Sequence, residues 1–168
     1  MTVLVAYASR RGATRGIAER IAGRMRAGGL DVHLDPLLGR EQVGHFQAVV
    51  LGSPIYSRAW EPEAIDFCRR NAAALTGRPV WTFSVGWPDA GSPDAPHPDA
   101  KNLAEVHQLV AVREHRYFLG ALDPAELPPL QRAMFRMRGH QAGDLRDWAV
   151  IDAWTDEIGR QLTASPAR

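Results

Sequence analysis

Features that would place the chain in a special class of protein are scarce. Its 168 residues include one cysteine, Cys68, so no disulfide can form within the chain. No apolar stretch approaches the roughly 20 residues that a transmembrane helix needs. The first apolar run, residues 3–8, is too short for a signal-peptide core, and Arg10 and Arg11 follow it instead of preceding it. We therefore expect a cytoplasmic protein.

An excess of charge of either sign is also missing. Twenty lysines and arginines against nineteen acidic residues give a net charge of +1, which excludes the basic surface typical of a general nucleic-acid-binding protein. Lysine itself is almost absent, since Lys101 is the only one among those twenty. Two interpretations stay open: a genomic bias towards arginine codons, or selection of arginine for phosphate binding, which suits its planar guanidinium group.

The spacings that hold a metal or build a hydrolytic site are missing too. The six histidines show no H-x-x-x-H pattern and no pairing with cysteine, and the sequence has no G-x-S-x-G motif. Cys68 follows Phe67 on a predicted helix, which favours a small core residue over a reactive thiol. We assign no catalytic side chain and no metal site.

What is present is an alternation of apolar runs and amphipathic segments, which we interpret as one domain over residues 1–168 with a short flexible tail. Buried strands are predicted at 2–8, 30–34, 47–51, 79–85 and 117–122. Helices are predicted at 17–28, 61–75, 99–110 and 148–162, while residues 39–45 supply at most one helical turn. This order predicts a three-layer, doubly wound α/β fold with a parallel sheet.

The loop after the first strand has the composition of an anion site. It comprises Ser9, Arg10, Arg11, Gly12, Ala13 and Thr14. Gly12 permits a tight turn that presents backbone N–H groups, and the following helix begins with the positive end of its dipole. The motif is neither a P-loop nor a dinucleotide fingerprint, and it fits a mononucleotide phosphate. The alternative is a simple capping turn in which Thr14 caps the helix and nothing is bound.

The loops after the third and fourth strands carry aromatic residues. Tyr56, Trp60 and Trp87 are expected at the rim of the sheet, where a planar ring could stack, and Gly86 permits close approach to the backbone. The alternatives are that the first two cover the next helix and that the last loop is an ordinary connector. A phosphate cradle beside an aromatic rim indicates a flavin mononucleotide (FMN) site, whose candidate residues in these two loops are Ser53, Pro54, Ile55, Tyr56, Trp60, Ser84, Val85, Gly86 and Trp87.

The segment from Val5 to Ile21 resembles the phosphate-loop signature of the flavodoxin-like family. The matching positions are Tyr7, Ser9, Gly12, Thr14, Ala18 and Ile21. Ala6 departs from the signature, where a larger apolar residue is usual, and so does Arg11, where many members have a third hydroxyl group. The resemblance implies a five-stranded parallel sheet in the order 2-1-3-4-5, with FMN bound by the three loops.

Within that family the chain is most similar to the menaquinone-dependent protoporphyrinogen dehydrogenase-like branch. The segments GSPIY, residues 52–56, and GDLRDW, residues 143–148, carry this resemblance. It implies an FMN-dependent oxidoreductase that passes electrons between the flavin and a quinone or a porphyrinogen. Asp144 and Asp147 precede the last helix and suit capping, so they receive no catalytic role.

The charge balance separates two kinds of redox function. Flavodoxins that shuttle electrons are usually strongly acidic, and an acidic surface steers a shuttle towards basic partners. This chain is nearly neutral and has Arg10, Arg11 and Arg15 around the expected phosphate, which favours a reductase of quinones or other small molecules. Two alternatives stay open: an electron-transfer protein with a protein redox partner, and a flavodoxin-like module that has lost its cofactor.

Residues 123–143 form a connection that is longer than the fold requires. Four apolar side chains in it share one helical face, and two arginines lie opposite: Leu127, Leu130, Met134 and Met137 against Arg132 and Arg136. One interpretation is a lid or a peripheral membrane contact for a lipophilic substrate. The other is a helix packed on the sheet with its basic side in solvent.

The loop at residues 87–99 contains four prolines and three aspartates. A carboxylate close to the flavin raises the energy of the anion that forms when the ring is reduced, and it therefore lowers the reduction potential of the flavin. We expect Asp89, close to Trp87 in the sequence, to have a larger effect on the potential than Asp99.

Overall fold

The computed structural model describes residues 1–37, 43–87, 100–123, 125, 128–137 and 143–164. The strands are β1 (Thr2–Tyr7), β2 (Asp31–Asp35), β3 (Ala48–Tyr56), β4 (Ala59–Trp60), β5 (Val80–Gly86), β6 (Val112–Leu119), β7 (Ala121–Leu122) and β8 (Gly143–Asp144). The helices are α1 (Ala13–Ala27), α2 (Pro62–Leu75), α3 (Leu103–Leu109), α4 (Pro129–Met137) and α5 (Trp148–Ala164), with a 3-10 turn at Val43–His45.

Five strands form a parallel sheet in the order β2-β1-β3-β5-β6. This is the predicted order 2-1-3-4-5, with the two-residue strand β4 set aside as an antiparallel partner of β3. Because β1 and β3 are neighbours and the chain leaves them towards opposite sides of the sheet, their carboxyl ends flank the crevice where such folds bind ligands. The predicted doubly wound fold is confirmed.

Strand β1 shows how the sequence produces three layers. Its side chains alternate, so Val3 and Val5 enter a core with α1 and α5 on one face of the sheet, while Leu4 and Ala6 enter the core with α2 on the other. All four are fully buried. A strand that is buried on both faces has a continuous apolar sequence, which is why the prediction for this strand was accurate.

The fifth parallel strand begins earlier than predicted. The sequence predicted a strand at 117–122, whereas β6 covers Val112–Leu119. Strand β6 lies at the edge of the sheet, where Arg113 and Arg116 are exposed to solvent. An edge strand need not be apolar on both faces. The charged residues of β6 therefore prevented its first half from being predicted as a strand.

Two small pairings were not predicted. Strand β4 folds back on β3 through Ser57 and Arg58, both with positive φ angles, of 50° and 62°. Strands β7 and β8 form an antiparallel ribbon, although about twenty residues separate them in the sequence. This ribbon brings the GDLRDW segment to the carboxyl edge of the sheet.

Several other expectations can be compared with the described residues. The 3-10 turn at Val43–His45 confirms the short turn predicted near it, and Cys68 is fully buried, with burial raising the pKa of its thiol to about 12, as expected of an unreactive core residue. No helix in the described ranges is long and apolar enough to cross a membrane. Residues 39–42, the tail at 165–168 and the loop aspartates Asp89, Asp94 and Asp99 lie outside the described residues.

Candidate functional site

The loop between β1 and α1 is a turn that directs backbone N–H groups towards one point. Gly12 adopts the left-handed conformation, with φ of 83°, which glycine enters without steric cost. The Ser9 hydroxyl accepts hydrogen bonds from the N–H groups of Gly12 and Arg15, at 3.2 and 3.4 Å. The N–H groups of Ala13 and Thr14 have no acceptor among the described residues, as is usual for the first turn of a helix.

The Thr14 side chain does not cap α1. Thr14 is 1% exposed and lies in the second position of the helix, whose N-cap residue is Gly12. The Ser9 hydroxyl accepts a hydrogen bond from the Arg15 N–H in the first turn instead. The expected contact of the Thr14 hydroxyl with a phosphate stays a prediction.

A cleft of about 530 Å³ opens beside this loop, within the range typical of small-molecule sites. One wall consists of Arg11, Gly12, Ala13 and Arg15. The opposite wall comes from the β7–β8 ribbon and the residues next to it: Ala121, Leu122, Asp123, Gly143, Asp144 and Arg146. The sequence predicted the first wall as part of the site, whereas the residues of the second wall were not predicted to lie there.

Arg10 does not lie with the other arginines around the cleft. Its Nε atom donates to Oε2 of Glu61 at 2.8 Å, and its guanidinium group lies 5.0 Å from the centre of the Tyr56 ring. The hydrogen bond to Glu61 raises the pKa of Arg10 above its ordinary value. Since the Glu61 side chain is only 6% exposed, this pair ties the first loop to the second and directs the Arg10 guanidinium group to Glu61 and away from the cleft.

The second loop divides into an exposed part and a supporting part. Ile55 and Tyr56 are half-buried at the rim, as expected of residues beside a ligand. Trp60 is 2% exposed and its indole N–H donates to the Ser84 hydroxyl at 2.7 Å. The expectation that Trp60 presents a ring face at the rim is therefore wrong, and the alternative that it covers the following helix is confirmed by its contacts with the α2 core.

The two residues at the start of this loop are also supporting residues. Pro54 is buried, and Ser53 is fully buried. The Ser53 hydroxyl accepts a hydrogen bond from the Glu61 N–H at 3.0 Å and donates to the Pro54 carbonyl, also at 3.0 Å. The Ser53 hydroxyl therefore stabilises the loop from within, and a contact between Ser53 and a ligand stays a prediction.

The third loop differs from its prediction in the same way. Ser84 and Val85 are buried, and the Ser84 hydroxyl also contacts Nε2 of His115 at 3.1 Å. A Cβ atom on Gly86 would clash with the phenol ring of Tyr117, so the absence of a side chain at this glycine makes room for Tyr117. Trp87 is half-buried and is the last described residue before the loop at 88–99.

Tyr117 is an aromatic residue at this edge of the sheet that was not predicted to lie in the site. It is half-buried near the carboxyl end of β6, against Gly86 of β5. Because the strand was predicted to begin at residue 117, Tyr117 was placed at the wrong end of the sheet. Charged residues alternate with other residues before position 117. Had this segment been interpreted as an edge strand, Tyr117 would have been placed at the carboxyl edge of the sheet.

Hydrogen bonds from the start of α3 hold the second loop in place. The side chain of Asn102 accepts from the Trp60 N–H at 2.8 Å and donates to the Trp60 carbonyl at 3.2 Å. The Lys101 N–H donates to the Arg58 carbonyl at 2.8 Å. The three loops at this edge therefore form one connected rim, in which Tyr56, Trp87 and Tyr117 are the half-buried aromatic residues.

Comparison with known proteins agrees with this geometry. Residues 4–147 match the model of the flavodoxin domain family, while no curated protein matches the sequence. A flavodoxin from the domain Archaea has the same fold, with a TM-score of 0.65 and 13% identity over 97% of this chain and 99% of its own. A flavodoxin of Pseudomonas aeruginosa, solved as a point mutant, matches with a TM-score of 0.61 and 14% identity over 97% of this chain and 99% of its own.

Larger proteins contain the same unit. The Flv1 flavodiiron core from Synechocystis matches with a TM-score of 0.66 and 13% identity over 99% of this chain but only 37% of its own length. The described sheet order, the turn at Gly12 and a family match over residues 4–147 lead to one conclusion. The chain belongs to the flavodoxin domain family.

Proposed function

We propose that the protein binds FMN and transfers electrons through its ring. The observation that carries this proposal is the β1–α1 loop, in which the left-handed Gly12 leaves the N–H groups of Ala13 and Thr14 without acceptors among the described residues, beside a cleft. Such a helix start binds phosphate through N–H groups and its dipole. When bound, the flavin would supply the hydride or electron transfer.

The chain's own residues have the task of holding and orienting the cofactor. The N–H groups of α1 and the guanidinium groups of Arg11 and Arg15 would hold the phosphate, since both arginines line the cleft. Tyr56 and Trp87 would flank the ring from the second and third loops. Below them, buried hydrogen bonds keep the loops rigid through the side chains of Ser53, Trp60 and Ser84. No side chain is assigned as an acid or a base.

We further propose that the electron acceptor or donor is a small molecule of the quinone or porphyrinogen class. The net charge of +1 does not provide the acidic surface that steers a shuttle protein. Arg58 is exposed beside Tyr56, and Arg10 in the neighbouring loop neutralises the carboxylate of Glu61, so the described loops around Tyr56 do not form an acidic surface. A protein redox partner is the alternative, and it would need a docking surface around this rim.

Two measurements test the proposal. The purified protein should be yellow, or should quench FMN fluorescence on titration, and a colourless protein that does not bind FMN would show that it is a module without cofactor. The reduced protein should then be mixed with quinones, with protoporphyrin precursors and with ferredoxin-type proteins. Rapid reoxidation by a quinone or turnover of a porphyrinogen supports the small-molecule proposal, whereas exchange with the proteins alone favours a shuttle.

A further inference from the structure

The GDLRDW segment holds one guanidinium group in a fixed position. The Nε and Nη2 atoms of Arg146 donate to the two carboxylate oxygens of Asp144, at 2.8 and 2.6 Å, in the paired geometry that arginine and carboxylate favour. The guanidinium group also lies 4.5 Å from the centre of the Trp148 ring. With 18% of its side chain exposed, Arg146 is far more buried than Arg116, whose side chain is 54% exposed.

This fixed arginine is directed at the beginning of α1. Its Nη1 atom, which is not part of the pair with Asp144, lies 2.5 Å from the position that a Cβ atom of Gly16 would occupy. Gly16 donates the hydrogen bond that starts α1, to the Gly12 carbonyl at 2.9 Å. The absence of a side chain at Gly16 therefore lets a guanidinium group from the ribbon reach the first turn of the helix.

The charges around this helix start favour a bound anion. A cation beside the positive end of a helix dipole is unfavourable, and acidic residues usually occupy the first turn. Helix α1 has no acidic residue in its first turn, and Arg11, Arg15 and Arg146 line the cleft beside it. Two carboxylates line the same cleft: Asp144, which is paired with Arg146, and Asp123. Arg15 also lies 3.7 Å from Glu19 in an exposed pair, so Arg11 and Arg146 are the cationic groups that an anion in the cleft would meet first.

We propose that Arg146 is a binding residue for the phosphate group of the mononucleotide. It follows the β7–β8 ribbon and faces the phosphate site from the side opposite the β1–α1 loop. This inference rests on the proposed function, since the phosphate monoester is that of FMN. Asp144 and Trp148 act as positioning residues, because their contacts hold the guanidinium group in place. The GDLRDW segment then has a role in the site, as the second wall of the phosphate cradle.

The test compares FMN with riboflavin, which has the same ring but no phosphate. Flavin-free natural protein and its R146Q variant are titrated with both flavins by fluorescence quenching. We expect R146Q to weaken FMN binding by about tenfold or more, as for loss of a charge-assisted hydrogen bond, and to leave riboflavin binding unchanged. Raising the salt concentration should weaken FMN binding more in the natural protein than in R146Q.

Two further variants separate binding from folding. R116Q breaks a pair of the same spacing, between Arg116 and Glu114 on β6, away from the cleft, and should leave both affinities unchanged. R146K keeps a positive charge but lacks the paired donors, so it should fold and bind FMN more weakly than the natural protein. Thermal unfolding without flavin verifies that each variant is folded.

The outcomes are distinct. If the natural protein binds neither flavin, the proposed function fails and this inference fails with it. If the natural protein binds FMN but R146Q and R146K bind FMN as tightly, or lose affinity for both flavins equally, the proposed function stands and Arg146 only supports the ribbon. A selective loss of FMN affinity in folded R146Q or R146K supports the inference.

Discussion

Arg11 replaces a hydroxyl residue that is usual in this family, and it lines the cleft. If the Arg11 side chain faces the phosphate, it supplies a charge-assisted hydrogen-bond donor where other members of the family have a neutral hydroxyl group. We expect Arg11→Ser to raise the FMN dissociation constant by about tenfold or more at low salt. FMN binding should also become less sensitive to salt. Arg70→Ser, at an exposed arginine on α2, is the control, and equal salt sensitivity of Arg11→Ser and the natural protein would contradict the prediction.

Two glycines allow a matched test of packing at single residues. A Cβ atom on Gly52 would clash with the ring of Phe83, which is fully buried, whereas a Cβ on Gly23 would meet nothing within 4 Å. We expect Gly52→Ala to lower the free energy of unfolding by about 1–3 kcal/mol, through overpacking. Gly23→Ala, in the middle of α1, should raise it by about 0.5–1 kcal/mol. Urea denaturation measures both, and equal values would show that the sheet accommodates the added methyl group.

At the scale of elements, ion pairs join α1 to α5. Arg20 contacts Asp152 at 2.6 Å and Arg24 contacts Asp156 at 2.6 Å. The hydrogen bonds from these arginines lower the pKa of each aspartate. A carboxylate whose pKa is lower in the folded state stabilises the fold above its unfolded pKa of about 3.9, and that stabilisation is lost as the pH falls through the folded value.

This linkage predicts the acid sensitivity of the natural protein. Between neutral pH and about pH 5 the melting temperature should not change through these two groups, and it should fall below about pH 4. In the double variant Asp152→Asn with Asp156→Asn, the melting temperature should be lower at neutral pH and should fall less on acidification. Calorimetry over this pH range is the measurement, and parallel curves for the two proteins would show that these pairs do not contribute.

Helix α4 is the element whose packing differs most from the simpler expectation. Leu130 and Met137 are 74% and 86% exposed, so for these two side chains the interpretation of a helix packed on the sheet is wrong. The structure does not describe Leu127 or the side chain of Met134. Exposed apolar residues opposite Arg132 and Arg136 suit the surface of an anionic membrane.

The membrane interpretation predicts that the natural protein sediments with vesicles that contain an anionic phospholipid, and less with zwitterionic vesicles. Replacing both Leu130 and Met137 with Glu should abolish the sedimentation, because the apolar face is lost and negative charge is added. Val150→Glu, at an exposed position of α5, is the control. If the double variant sediments as well as the natural protein, α4 is not the contact.

At the scale of the whole molecule, a cofactor that binds only the folded state must raise its stability. With free FMN at a hundredfold excess over its dissociation constant, the free energy of unfolding should rise by about 2.7 kcal/mol. For a chain of 168 residues, this corresponds to an increase of roughly 5–11 °C in the melting temperature. Differential scanning calorimetry with and without FMN measures it, and an unchanged melting temperature would contradict FMN binding.

The molecule also shows which inferences sequence alone supports. The strand TVLVAY and the turn after it were predictable because their signals are local. A strand buried on both faces needs apolar residues in succession, and the left-handed turn needs the glycine at position 12. The last helix was equally clear, since Ile151, Trp154 and Ile158 recur at helical spacing and are buried in the structure.

The residues that the sequence misplaced depend on contacts between distant segments. Trp60 and Ser84 are hydrogen-bonded although they lie 24 positions apart in the sequence. The burial of each side chain therefore could not be predicted from the sequence of its own loop. Arg10 is directed to Glu61, 51 residues away, and not to the phosphate loop that contains it. In each case the loop composition predicted a ligand-binding edge, while the partner that fixes each side chain came from another strand or helix.

The sequence by itself determined the doubly wound fold class and the glycine turn after β1, because periodicity and a short glycine turn are properties of contiguous residues. The order of the parallel strands followed from the resemblance to the family. Only the tertiary structure decided which side chains line the cleft. It buried Ser53, Trp60 and Ser84 beneath the rim and brought Arg146 from the far end of the chain to the start of α1. A parallel sheet collects the ends of distant strands at one edge, so the composition of the site is settled by packing and not by any one segment.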